Sequence, residues 1–111
     1  MANHYYDAAH LAEFGDIGEH APELAKKFFD WYGAVFADGA LSAREKALIA
    51  LAVAHALQCP YCIDAYAGAA LEKGADQAQM TEAVHVAAAI RGGASLVHGM
   101  QMRQKASKVS M

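Results

Sequence analysis

Apolar side chains along this chain recur at steps of three and four, the spacing that gathers them on one face of a helix. The clearest run is Leu24, Phe28, Trp31, Tyr32 and Val35, an aromatic stripe whose plain structural reading is core packing. Ahead of it, Asp7 suits the cap of a short helix over Ala8 to Phe14. Gly15 and Gly18 then loosen the chain before a second helix starts at Pro22 and stops at Asp38-Gly39. A third helix opens with Ser42 and Glu45 in the Ser-x-x-Glu spacing of a capping box and runs to about Leu57. It places Leu48, Ala52, His55 and Cys59 along one face. Pro60 interrupts the pattern and fits the first position of a fourth helix, which Gly74 closes, so Cys59 becomes its N-cap or the neighbour of that cap. The last segment opens near Asp76 or Thr81 and continues through Ala83, Val84, Ala87, Ile90, Ala94, Val97 and Met102. Gly92-Gly93 in its middle reads either as a break or as a place where another backbone comes close. If unbroken, about 25 residues would span close to 38 Å, more than a globule of this size covers, so such a helix needs another subunit beside it.

Composition supports the helical reading. Val, Ile and Thr together number 11, and proline occurs only at Pro22 and Pro60, so the predicted class is all-α. The 111 residues make one domain, with an N-terminal arm over 1–20 and a frayed tail over 105–111. Hydrophobic residues are 56% of the chain, but 27 of them are alanine, which leaves a modest core and makes a partner subunit a natural source of extra burial.

Charge excludes some partners. Nine Lys and Arg against twelve Asp and Glu give a net charge of −3, so no basic surface suited to nucleic acid is expected. The start Met-Ala-Asn-His-Tyr-Tyr-Asp lacks an apolar signal region, and the longest uncharged stretch, Ala47 to Ile63, is interrupted by His55, Gln58 and Pro60. The expectation is a cytoplasmic protein with no membrane partner.

The two cysteines stand as Cys59-Pro60-Tyr61-Cys62 at a helix start. A disulfide over two intervening residues closes too small a loop to brace a fold, whereas dithiols at this spacing in the cytosol are usually redox-active or bind metal. Zinc needs four ligands, and the histidines here are scattered without a second ligand pair, so neither a metal nor an organic cofactor is expected. Inert packing of two small hydrophobes is the bland alternative. A helix N-terminus favours the thiolate, the form that attacks electrophiles. Cys59, Cys62 and Tyr66 fall at steps of three and four, so both sulfurs and the phenol can share a face. His55, four residues before Cys59, is placed to bring an imidazole to the same pocket as a base.

The run Leu41-Ser42 through Glu45-Lys46-Ala47-Leu48-Ile49-Ala50-Leu51-Ala52-Val53-Ala54-His55, followed by Cys59-Pro60-Tyr61-Cys62-Ile63-Asp64-Ala65-Tyr66, resembles the carboxymuconolactone decarboxylase and alkylhydroperoxidase D family. Ala70-Leu71 to Gly74, Glu82-Ala83-Val84 and Ile90-Arg91-Gly92-Gly93 extend the resemblance over roughly residues 20–100. More narrowly, the chain is similar to small peroxidase-like proteins associated with arsenosugar biosynthesis. The resemblance implies a helical fold around a helix-turn-helix CxxC core, assembled as a homotrimer or homohexamer. It also implies thiol peroxidase chemistry, in which Cys62 is oxidised by a hydroperoxide to sulfenic acid, Cys59 resolves it, and an external dithiol restores the pair. Two departures stand out: Tyr66 and Ala47 occupy the positions of that family's relay histidine and glutamate. His55 with Glu45 is the nearby replacement, although Glu45 also has its capping box to complete. The alternatives are a dithiol that captures trivalent arsenic or another thiophilic species without turnover, and the family's lactone decarboxylation.

Overall fold

Local signals set the helix boundaries. In the computed structural model, which describes residues 7–110, the chain forms α1 (Ala8–Ala12), a 3₁₀ turn over Phe14–Gly18, α2 (Pro22–Phe36), α3 (Ala43–Leu57), α4 (Pro60–Glu72) and α5 (Gln77–Ser110). No strand occurs among the described residues, so the protein is all-α. The Asp7 side chain accepts the Ala9 N–H at 2.9 Å and starts α1. The expected capping box opens α3, with Ser42 Oγ accepting the Glu45 N–H at 3.0 Å and Glu45 Oε1 accepting the Ser42 N–H at 2.8 Å. Asp76 and Gln79 repeat the device ahead of α5, through reciprocal bonds of 2.8 and 3.0 Å. Gly74 takes φ +91°, a left-handed conformation that a side chain would strain, and ends the α4 segment.

The capping box carries a prediction. Glu45 has its carboxyl held below the ordinary glutamate range, first by the Ser42 backbone N–H and then by the Ser42 side chain. A folded-state pKa below the unfolded one stabilises the fold above the ordinary range, and that contribution is lost as pH falls through the lowered value. Ser42→Ala removes the cap itself and is expected to cost about 1 kcal/mol at neutral pH, read by urea unfolding.

The turn between α3 and α4 is tighter than the sequence suggests. Gln58 adopts φ 55°, the Gln58 N–H bonds the His55 carbonyl at 3.1 Å, and the Cys59 N–H bonds the Ala54 carbonyl at 3.0 Å. This is a Schellman closure in which glutamine stands where glycine would be unstrained. It reverses the chain within two residues and delivers Cys59 directly to the start of α4. Ala47, Ala70 and Ala75 then meet in one buried cluster, so the C-terminal part of α4 lies beside the N-terminal part of α3.

The core is small. Its buried apolar residues are Ala47, Leu51, Ala54, Ala70, Ala75 and Ala87, so Leu51 is the one large side chain among them. Helix α3 packs against α4 and the first half of α5, while α2 lies lightly on α3. One sequence expectation meets a different outcome here. The α2 stripe is not core in a single chain, because Leu24 and Trp31 are 71% and 64% exposed and only Tyr32 of that run is half-buried. Periodicity shows that a face is to be covered without showing by what. The last helix runs through Gly92-Gly93 without a break, one of the two readings the sequence left open. At 34 residues it is about 51 Å long by helical rise. Beyond Ala87 it leaves the core, with Arg91 Nη1 donating to the Ala56 carbonyl at 2.7 Å as a late tie to α3. The radius of gyration, 19.0 Å, exceeds the roughly 13 Å of a compact chain of this length.

Candidate functional site

Both cysteines occupy the first turn of α4. Cys59 is the N-cap in extended conformation, Pro60 follows at the first helical position, and the Cys59 sulfur accepts the Cys62 N–H at 3.3 Å. The side chain thus does the work of a capping serine with sulfur in place of oxygen. The pair is bonded as a disulfide with Cα atoms 5.3 Å apart, a separation within the range such a bond requires. When the bond is open, the same N–H and the helix terminus favour negative charge on Cys59.

Two recesses reach the sulfurs. The first, about 580 Å³, lies between the N-terminal arm, α2 and α4, and contains Cys59 and Cys62 together with Phe14, Phe29, Tyr32 and Tyr66. The second, about 430 Å³, lies between α2, α3 and α4 and reaches Cys62 and Tyr66 but not Cys59. Cys62 is accordingly open from two sides. Tyr66 stands where they meet, stacked on Phe36 at 5.1 Å between ring centroids and 20° between planes. In the wall of the larger recess Phe14 and Phe29 pack edge to face at 5.2 Å, and Phe28, which does not line it, meets Tyr32 at 5.3 Å. Burial raises the Tyr32 pKa above the ordinary phenol value.

The sequence-proposed residues divide. Cys59, Cys62 and Tyr66 come together as their spacing implies. His55 does not line either recess. Its Nδ1 pairs with the Leu51 carbonyl one turn back at 2.8 Å, and its ring borders a third, smaller recess with Ile63, Gln77 and Thr81. The Pro60 break explains this. Continuing the periodicity of α3 through Cys59 assumes one helix, whereas the Schellman turn starts a new axis, and the face shared by His55 and Cys59 ends there. Glu45 is engaged in its capping box at the opposite end of α3, twelve residues or about 18 Å from Leu57 along the axis. The structure therefore leaves it apart from the dithiol.

Two titratable residues not singled out by sequence enter the larger recess: His10 from α1 and Tyr61 from within the CxxC motif itself. His10 Nδ1 lies 3.2 Å from Tyr61 Oη, in hydrogen-bond contact, although 51 positions separate them. Tyr61 was visible as the residue between the sulfurs. For His10 no local signal exists, because only the docking of α1 on α4 brings it there. Among the described residues, no group of three or more His, Cys, Asp and Glu is arranged to hold a metal ion. No helix among them is long and apolar enough to cross a membrane.

Comparison with known proteins agrees with this architecture. The chain is 42% identical over 87 residues to uncharacterized protein 4 in the cox locus of Paracoccus denitrificans, covering 78% of each chain. A crystal structure from Methanobacterium thermoautotrophicum superposes with a TM-score of 0.72 at 37% identity, over 76% of this chain and 94% of that one. The apo form of a carboxymuconolactone decarboxylase family protein from Legionella pneumophila does so with a TM-score of 0.69 at 30% identity, over 82% and 86%. The carboxymuconolactone decarboxylase family profile itself matches residues 22–104, from the start of α2 deep into α5 and across the whole CxxC turn. By fold and by sequence, the chain belongs to the carboxymuconolactone decarboxylase family.

Proposed function

We propose that this protein is a thiol peroxidase, a dithiol-disulfide oxidoreductase that reduces hydroperoxides through Cys62 and Cys59. The observation that carries the reading is the dithiol at the N-terminus of α4, facing a ring-lined recess large enough for an organic substrate. The Cys62 thiolate attacks the hydroperoxide, the O–O bond breaks, and the alcohol leaves while Cys62 becomes a sulfenic acid. The Cys59 thiolate then attacks the Cys62 sulfur, hydroxide leaves as water, and the disulfide forms. An external dithiol next attacks the Cys62 sulfur and displaces Cys59 as a thiolate. Its own second thiol completes the exchange and leaves as the external disulfide. Access supports this order, since Cys62 is reached from both recesses and Cys59 from one. The cap on Cys59 supports it too, because a stabilised thiolate is the better leaving group. Tyr66, touching both recesses, donates a hydrogen bond to the peroxide oxygen. His55 and Glu45 have no step in this scheme, given where their side chains lie.

The reaction belongs in the cytoplasm, where thiol reductants keep such pairs open. The working unit is a homo-oligomer, a trimer or hexamer as the family resemblance implies. The test is titration of the reduced protein with tert-butyl hydroperoxide under argon. One equivalent is expected to remove two thiols per chain and yield one tert-butanol, and dithiothreitol is expected to sustain turnover. Thiols that survive excess peroxide, or carbon dioxide release from a carboxymuconolactone, would sink the peroxidase reading.

A further inference from the structure

The dithiol recess contains an imidazole that the sequence motif does not supply. His10 is on α1, outside the segment that matches the family, yet it reaches Tyr61 at 3.2 Å and lines the same recess as both sulfurs. The two rings lie 6.4 Å apart and tilted by 36°, side by side at the mouth of the α4 N-terminus. The other titratable groups facing the recess are Tyr32 from α2 and Tyr61, Tyr66 and the two thiols from α4. Among the described residues lining it there is no Asp, Glu, Lys or Arg. Phenols and a protonated thiol do not exchange protons readily near neutrality, whereas imidazole does.

We propose that His10, held in place by Tyr61, is the proton carrier of the dithiol site. The inference rests on the peroxidase reading and adds to it the group that balances its protons. The proton that leaves Cys62 as the thiolate forms resides on His10. When Cys62 attacks and the O–O bond breaks, the departing alkoxide takes that proton and leaves as the alcohol. Neutral His10 next accepts the Cys59 thiol proton, and the Cys59 thiolate displaces hydroxide from the Cys62 sulfenic acid. Hydroxide takes the proton back from His10 and leaves as water. Two thiols and one hydroperoxide thus give one disulfide, one alcohol and one water, with His10 returned neutral. The Tyr61 phenol fixes the tautomer and orientation of the imidazole, which makes it the positioning residue of the pair.

The experiment follows single-turnover disulfide formation with tert-butyl hydroperoxide between about pH 5 and 8, for the natural protein and for His10→Ala, His10→Asn and Tyr61→Phe. His10→Ala is expected to slow the reaction about 100-fold at neutral pH and to flatten the profile, with added imidazole restoring part of the rate. His10→Asn keeps a partner for the phenol but cannot titrate, so it is expected to match His10→Ala. Tyr61→Phe, which frees the imidazole without removing it, is expected to slow the reaction several-fold and keep the limb in the profile. His10 is exposed, and unchanged circular dichroism and unfolding midpoints serve as the check on folding. Natural rates and an unaltered profile in both His10 variants would overturn the proposal while the natural protein still turns over. If the natural protein consumes no peroxide, it is the peroxidase reading that fails.

Discussion

Cys62→Ser is expected to abolish peroxide turnover, with a loss of more than about 1,000-fold that leaves only the uncatalysed background. Removing the nucleophile of a covalent mechanism takes the whole covalent route with it. Cys59→Ser separates the two half-reactions. Its Cys62 still attacks, so one equivalent of alcohol appears in a single burst, and the protein stalls as a sulfenate that a dimedone adduct places on Cys62 by mass spectrometry. The geometry makes this a demanding test, because the two cysteines hold competing advantages. Cys59 accepts the Cys62 N–H and sits at the very end of the helix dipole, which favours its thiolate. Cys62 lies one turn further in but opens to both recesses. Thiolate stability alone would select Cys59 as the attacker, and access selects Cys62. A burst and sulfenate in Cys62→Ser, with none in Cys59→Ser, would show that stability wins and reverse the assignment.

The local grammar of the chain was legible wherever a boundary depends on neighbouring residues. Asp7, Pro22, Ser42 with Glu45, Pro60 and Gly74 each mark the helix end that the structure has there, and the N-cap role of Cys59 follows from Pro60. What sequence spacing could not give was direction across a turn. His55 and Cys59 share a face only if α3 continues, and the left-handed Gln58 ends that continuity. Glu45 satisfied a capping pattern and a catalytic hope at once, and the capping bonds are what the structure shows. His10 illustrates the complementary gap, since a contact spanning 51 positions leaves no trace in periodicity. Spacing also left open whether α5 breaks at Gly92-Gly93, and it does not. Glycine weakens a helix by about 1 kcal/mol relative to alanine, too little to break one that the flanking residues sustain. A Cβ placed on Gly92 or Gly93 would meet nothing within 4 Å, so no contact within the chain requires glycine at these positions.

Ile90→Glu with Leu96→Glu is expected to break the protein into poorly folded single chains, although neither residue touches the core described above. In an isolated chain Ile90 and Leu96 are 69% and 81% exposed, and substitutions at such positions ordinarily change stability by no more than about 0.5 kcal/mol. That expectation holds only if the isolated chain is the folded unit, and the proposed oligomer predicts that it is not. One leucine and five alanines are the chain's buried apolar residues, a modest core for a chain of 111 residues, and a partner subunit is a natural source of further burial. Val86, Ile90, Leu96, Val97, Met100, Met102 and Val109 meanwhile stand exposed on α5, and Leu24, Trp31 and Val35 on α2. Exposed apolar surface on this scale is expected to be covered by a second copy, as the proposed oligomer requires. Covered by a second copy, each of the two side chains becomes a buried one, and a carboxylate in its place is expected to cost several kcal/mol. Sedimentation equilibrium at micromolar concentration should therefore give a multiple of the 11.8 kDa chain mass for the natural protein, with an unfolding midpoint that rises with concentration. The double variant should sediment as single chains and lose its midpoint. A natural protein that sediments as one chain and unfolds at a midpoint independent of concentration would refute the assembly, and the exposed face of α5 would then need some other cover.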